Sequence, residues 1–453
     1  MIRREGFIIF EVSRVIGDIH PFEVGGRRFL LSVTTGALVE VDEEAWDLVQ
    51  RLKDGEDVAG HPCLAELAEL VAEGVFSQGE EELWIRTARE ARGRSVVKAL
   101  CLNVAHSCNM RCRYCFAAEG TYRGERAVMS REVGRRAVDF LIEASGARRN
   151  LEIDFFGGEP LLNMAVVREV VDYARARGEE TGKRFRFTLT TNGLLLDEET
   201  TRYLAENMDN VVLSLDGRPE VNDRMRPLPD GSGSYDRVVD RLLSLIRRRG
   251  DRSYYVRGTF TRHNLDFAAD VLHLSSLGFK NISVEPAIGS GRDWSLREED
   301  LPRVLREYEE LAVEMASRGG DFEFFHFQID LERGPCLGKR LKGCGAGTEY
   351  LAVTPAGELY PCHQFVGEAE FLLGDVFDGI HRMDLVRKFS DADLYQKRGC
   401  PDCPVRFYCG GGCYANAYAR HGDITHPDEL GCALHRRRVE CALYLQAALR
   451  ERG

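Results

Sequence analysis

Between residues 97 and 328 the chain alternates two hydrophobic periods. Short apolar stretches at 97–104, 151–156, 185–191, 211–215, 254–260 and 282–284 read as strands. Patterns of helical period near 130–145, 163–178, 197–207, 235–248, 264–277 and 298–317 follow them, with Ser130 and Asn163 placed to cap two of the helices. Six strand-then-helix units in succession predict an α/β fold, a parallel sheet with helices outside, either curved into a partial (β/α)6 barrel or left open. In either arrangement functional residues collect where strands end and loops begin.

The flanks behave differently. From Phe7 to Val41 short alternating runs, Phe7-Ile8-Ile9-Phe10-Glu11-Val12 and Arg28-Phe29-Leu30-Leu31-Ser32-Val33, are separated by Gly25-Gly26 and predict small antiparallel strands. Helical runs follow from Asp42 and from near Leu64, giving a β-then-α module over residues 1–90. An exposed strand edge there suits an extended peptide added as a further strand; a packing appendage is the alternative. The central unit runs over 97–328. Beyond residue 329, to 453, periodicity weakens while cysteine, glycine and proline rise, so that metal more than an apolar core is expected to hold the region together.

Charge narrows the partners. Sixty-one basic against 73 acidic side chains leave a net charge of −12, with the two signs mixed along the chain, so no footprint for nucleic acid is present. No apolar run approaches the roughly 18 residues that span a bilayer, and no membrane association is expected. A cytoplasmic location follows, where 14 cysteines are not a disulfide framework by default. Three of them lie at 108–115 and eight between 336 and 432; only Cys63, Cys101 and Cys441 stand outside, as small buried apolar residues would. Clustered soft ligands point to metal.

Cys108, Cys112 and Cys115 are spaced C-x3-C-x2-C directly after the first strand of the central unit. A four-iron cluster takes four ligands, so three cysteines leave one iron open to a substrate or cofactor. A structural zinc site completed by His106 is the alternative on spacing alone. With the aromatic Tyr114 before the last cysteine, the motif resembles that of the radical S-adenosylmethionine superfamily. The resemblance implies that the open iron binds S-adenosylmethionine and that its cleavage yields a 5′-deoxyadenosyl radical. It further implies that Gly157, Gly158, Glu159 and Pro160 form the glycine-rich motif receiving the methionine amino group. Ser214 and Asp216 then bind the ribose hydroxyls or methionine end, and Arg257 pairs with the methionine carboxylate.

Cys344, Gly357 and Cys362 follow a C-x12-G-x4-C pattern, and Cys400, Cys403, Cys409 and Cys413 read C-x2-C-x5-C-x3-C before Cys432. This resembles the SPASM extension, which implies two auxiliary clusters and three [4Fe-4S] clusters in all. Carried over by residue, Cys344, Cys362 and Cys413 hold the first auxiliary cluster and Cys400, Cys403, Cys409 and Cys432 the second. Cys336 either completes the first or leaves its iron open to a substrate thiol. Zinc ribbons are the alternative for the paired cysteines. His363, next to Cys362, stands where some relatives carry a catalytic acid or base, a hydrogen-bond donor behind the ligand being the other reading.

Runs such as Asn150-Leu151-Glu152-Ile153-Asp154-Phe155-Phe156 and Tyr360-Pro361-Cys362-His363-Gln364-Phe365 resemble the maturases of SCIFF peptides, ribosomal peptides with six cysteines. This implies a winged-helix-like N-terminal module that binds the leader of a cysteine-rich precursor, and thioether cross-links from cysteine sulfur to a carbon of a nearby residue, commonly threonine. An external low-potential electron donor is then required. An anaerobic sulfatase-maturing enzyme and a non-enzymatic iron–sulfur electron-transfer protein are the competing readings.

Overall fold

The N-terminal module opens with a helix, not a strand. In the computed structural model, which describes residues 2–77, 85, 86, 90, 95–287, 289, 291–329 and 341–452, helix α1 covers Ile2–Val15. Phe7 to Val12, expected as a strand, lie inside it. Ile9, Val12 and Val15 fall three apart on one helix face, with Val12 and Val15 buried and Phe10 exposed. Over six residues such a run fits both periods, and packing against Leu48 and Leu67 selects the helical one. The strand that does pair with β2 (Arg27–Ser32) is β1 (Ile19–Val24), through the two-residue turn Gly25-Gly26; β3 (Leu38–Val41) completes an antiparallel sheet. Helices α2 (Glu43–Lys53) and α3 (Leu64–Ala72) close the module, α2 being capped by Asp42 accepting from the Ala45 amide. Cys336 lies outside the described residues.

The central unit follows its sequence pattern closely. Strands β4 (Ala99–His106), β6 (Asn150–Gly157), β7 (Arg184–Thr191), β8 (Asn210–Ser214), β9 (Tyr254–Phe260) and β10 (Asn281–Pro286) lie side by side in that order and all parallel; β5 (Ala127–Val128) pairs with β4 off the main path. Between them run α4 (Arg131–Ala144), α5 (Met164–Thr181), α6 (Glu198–Asn207), α7 (Pro219–Met225), α8 (Tyr235–Arg249), α9 (Phe267–Ser276) and, after β10, α10 (Leu301–Ser317). Their apolar faces and those of the strands merge into one core that contains Leu100, Ile153, Val171, Leu213 and Val256. Ser130 caps α4 through the Val133 amide. Asn163 does not cap its helix: its Nδ2 donates to the Val104 and Met129 carbonyls, tying the end of β4 to the entry of α4.

The sheet stays open. β11 (Glu323–Phe324) extends it beyond β10, while β12 (Tyr350–Val353) joins β4 in parallel on the other side. β13 (Glu358–Tyr360), β14 (Gly374–Asp375) and β15 (Gly379–Ile380) continue antiparallel from there, and β11 and β15 do not meet. The cysteine-rich region is therefore grafted onto the strand that carries the first cysteine triplet. It continues through α11 (Met383–Asp391), α12 (Arg406–Cys409), α13 (Tyr414–His421) and α14 (Glu429–Arg450). α14 returns along α10 and reaches β1, where Arg437 donates to the Glu23 carbonyl and His20 contacts Glu440. No helix among the described residues is long and apolar enough to cross a membrane.

Candidate functional site

The loop after β4 carries the first three cysteines and is clamped from below. The Arg111 and Arg113 amides donate to the carbonyls of Pro227 and Met225, at the end of α7. The Tyr114 hydroxyl donates to the Asp216 carboxylate, 2.8 Å from either oxygen, and accepts from Arg226 Nη1 at 3.0 Å. Asp216 also accepts from the Thr259 amide, so a buried tyrosine–carboxylate–arginine network fixes the cysteine loop to the ends of β8 and β9. Asn192, at the end of β7, bonds Asn109 and lies 3.8 Å from Cys108 Sγ.

The three thiols suit a cluster better than a single ion. Burial, with a smaller contribution from the Cys115 thiol beside both, pushes Cys108 up to about 11 and Cys112 up to about 12. Thiols so placed ionise readily only against a bound cation. Among the described residues, the sets of three ligand atoms lying within 4.8 Å of one another are His421–His426–Glu429 and Asp375–Asp378–His381, and no cysteine set does so. A tetrahedral zinc, at about 2.3 Å from each sulfur, would draw sulfurs to about 3.8 Å. The His106 ring stacks on Tyr122 at 4.6 Å, and His106 belongs to neither of those sets.

Above the triplet opens a cleft of about 1160 Å³ walled by strand ends. Gly157 and Gly158 line it, and both are required by close backbone approach: a Cβ at Gly158 would stand 2.1 Å from the Ser107 carbonyl oxygen, and one at Gly157 2.4 Å from that of Ala105. Gly158→Ala is therefore expected to cost about 3 kcal/mol or more by driving the loops after β4 and β6 apart. Thermal melting and iron content would check it, an unchanged Tm with full iron refuting the account.

Several residues singled out by sequence face elsewhere than the cleft. Glu159 touches the cleft wall but is fully buried, and its carboxylate accepts from the Leu161 and Asn192 amides and the Thr191 hydroxyl. Burial pushes it up to about 7 against those donors. It ties loops together, leaving backbone atoms of the glycines to face a ligand. Pro160 is buried where the short turn Pro160–Asn163 begins. Ser214 lines the cleft, whereas Asp216 is held in the network beneath, its carboxyl pushed up to about 6 by burial despite Arg226 and its hydrogen bonds. Arg257 lines the cleft paired with Glu285 at 2.5 Å. Burial alone would raise the Glu285 carboxyl, but Arg257, His326 and Arg438 outweigh it and hold it at about 2.

His363 and Gln364, directly after Cys362, also line the cleft. The His363 ring is wedged between Phe116 and Phe156, with Nδ1 3.1 Å from the Tyr350 hydroxyl. Burial lowers it to about 4. His106 and His435 are pushed to about 4 by the same cause. Unfolding exposes all three rings, which then titrate near the ordinary value of about 6.5, so between pH 4 and 6.5 the unfolded chain binds more protons. The contribution of these three rings to stability is therefore expected to be lost as pH drops through that window, opposed by Glu159 and Asp216, whose raised carboxyls hold protons in the folded state over the same range. Denaturant midpoints of the parent and a His435→Gln variant across pH 4–8 test this: the parent is expected to lose more stability than the variant between pH 6.5 and 4, and equal slopes contradict it.

The remaining cysteines form two further neighbourhoods. Cys362 is pushed up by burial and then by Cys413 and Cys344. Burial raises Cys400 to about 11 and Cys432 to about 12; their thiol neighbours are Cys403 and Cys409, with Cys400 also beside Cys432. Cys413 thus leaves its sequence neighbours and joins Cys344. Cys101 and Cys441 are buried, and Cys63 is partly so. Sequence reasoning missed Arg226, Asn192 and Glu285. Asn192 ends a strand, the one signal that could have raised it; an arginine after a short unrecognised helix gives none.

Residues 102–269 match the model of the Radical SAM superfamily. The radical SAM cyclopropyl synthase TigE of Paramaledivibacter caminithermalis is 23% identical over 440 residues, covering 88% of this chain and 89% of TigE. Among solved structures, anSMEcpe with bound AdoMet superposes with a TM-score of 0.66 at 20% identity, covering 78% of this chain and 99% of that one. Streptococcus suis SuiB bound to its precursor peptide SuiA gives 0.52 at 17% identity, covering 92% and 98%. These likenesses show the fold: an open, mainly parallel sheet extended by a cysteine-rich region.

Proposed function

We propose that this chain, which carries a Radical SAM domain, modifies a ribosomally made cysteine-rich peptide by joining cysteine sulfur to a carbon of a nearby residue, commonly threonine. The observation that carries the reading is a single cleft whose lining includes Cys108, Cys112 and Cys115 together with His363, next to Cys362. Two chemistries that a thioether requires, at carbon and at sulfur, thereby share one chamber. Relatives whose names describe peptide substrates, SuiB with its precursor peptide among them, support peptide modification as the general class.

Cys108, Cys112 and Cys115 would hold the cluster that leaves one iron for S-adenosylmethionine. Cys344, Cys362 and Cys413 would hold the first auxiliary cluster, and Cys400, Cys403, Cys409 and Cys432 the second. When bound, reduced cluster and S-adenosylmethionine supply a 5′-deoxyadenosyl radical that removes a hydrogen atom from carbon. The Gly157 and Gly158 backbone presents polar atoms at close approach, Ser214 offers a hydroxyl, and Arg257 offers a guanidinium fork to a carboxylate. His363, kept uncharged at neutral pH by burial, offers the substrate thiol a hydrogen-bond partner and does not hold its proton. Over the reaction the peptide loses a hydrogen atom from carbon to the radical and a proton and an electron from sulfur, and gains one carbon–sulfur bond; the electron would pass to the auxiliary cluster that Cys344, Cys362 and Cys413 would hold, and the proton to solvent. The β3 edge of the N-terminal sheet suits the leader as an added strand, which raises the local concentration of the core peptide at the cleft.

The test is anaerobic reconstitution with iron and sulfide, then incubation with S-adenosylmethionine, a low-potential reductant and a cysteine-rich peptide encoded nearby. Each bridge is expected to lower peptide mass by two hydrogens and remove one alkylatable thiol. A product lighter by two hydrogens that keeps all its thiols would replace thioether formation with oxidation of another side chain. 5′-Deoxyadenosine without any change in peptide would remove the substrate class.

A further inference from the structure

Lys397 is buried in an unusual place. It is 3% exposed, and among the described residues no carboxylate comes within ion-pair distance of its ammonium group. Nζ donates to the Gly411 carbonyl at 2.7 Å and lies 3.8 Å from the centre of the Tyr414 ring. A Cβ on Gly411 would meet the Lys397 chain at 2.8 Å, so the turn is packed tightly around it. Burying an ammonium group without an anion costs several kcal/mol. Burial lowers its pKa, and the groups that oppose this are thiols drawn from both auxiliary neighbourhoods: Cys400, Cys344, Cys409 and Cys413. One cation thus stands between the two auxiliary cysteine neighbourhoods. Gly411, which receives its hydrogen bond, lies between Cys409 of one group and Cys413 of the other, and Tyr414 follows Cys413 directly.

We propose that Lys397 is a positioning residue that fixes a positive charge between the two auxiliary iron–sulfur sites and raises the reduction potential of both. The inference rests on the reading that these seven cysteines hold clusters. Each added electron makes a thiolate-bound cluster more negative. A fixed cation in a poorly screened interior stabilises the reduced form more than the oxidised one. The same cation serves both sites, so it favours an electron arriving at either of them. A merely structural lysine would instead act through its bond to Gly411, which an uncharged donor can reproduce.

The experiment separates charge from hydrogen bonding. Lys397→Gln keeps an N–H donor without charge, Lys397→Met removes both, and Lys397→Arg keeps the charge. Each is made in the full chain in a Cys112→Ala background, so that the auxiliary sites alone contribute to the spectrum, and is titrated anaerobically by EPR. At a fixed poise the ratio of reduced to oxidised auxiliary cluster is expected to fall about tenfold in the Gln and Met variants, equivalent to about 59 mV for a one-electron couple. The Arg variant is expected to stay near the parent. Retention of iron by the Arg variant alone, with loss from Gln and Met, also supports the charge. Parent-like midpoints in an iron-replete Gln variant overturn the inference. Absence of auxiliary iron from the Lys397 parent overturns the cluster assignment on which it rests.

Discussion

Cys112→Ala should bring reductive cleavage of S-adenosylmethionine to background and, with the three clusters proposed above, remove about one third of the bound iron. The thiol lines the cleft beside Cys108, Cys115 and Arg226, so no neighbouring side chain can take its place. Alanine leaves two ligands for a cluster that needs three from the protein, and removes the anion that Arg226 faces. The fold should persist, because the loop is still held by Tyr114 on Asp216 and by the amides of Arg111 and Arg113. Iron analysis and 5′-deoxyadenosine release measure the two effects together. Cleavage at more than a few percent of the parent rate would show that the iron open to cofactor is not the one these cysteines present.

Cys413→Ala should separate the two halves of the chemistry. Cofactor cleavage is expected to persist at a substantial fraction of the parent rate, since Cys413 is absent from the cleft wall near the triplet. Cross-linked peptide should fall below detection. The residue sits with Cys344 and Cys362, and Cys362 adjoins the His363 wall where a substrate thiol would be held and kept deprotonated. Quantifying 5′-deoxyadenosine and product peptide from the same reaction gives the ratio directly. Normal cross-linking with the first auxiliary cluster demonstrably missing would remove that cluster from the sulfur step.

Much of the scaffold was readable because each of its elements repeats one period for long enough. β4 to β10 and the helices between them fall close to where apolar alternation changes spacing, and Ser130 caps as its residue type suggests. Phe7 to Val12 misled for the opposite reason. Six residues are too few to distinguish alternation from one helix face, and only the partners Leu48 and Leu67 decide. Asn163 is a second case: a side chain suited to capping finds two carbonyls that no local pattern reveals.

What the sequence determined by itself is the inventory and spacing of thiols, the glycine pair, and the order of strands that brings them to one end of a sheet. Those features are local, set by ligand spacing and by backbone periodicity. The tertiary structure alone decided that Asp216 and Glu159 turn inward to bind the scaffold, that Arg257 meets Glu285, and that Lys397 lies enclosed between two groups of cysteines. A charged residue reads the same in a sequence whether solvated or buried; its meaning comes from the dielectric around it and from the charges that distant segments bring within reach.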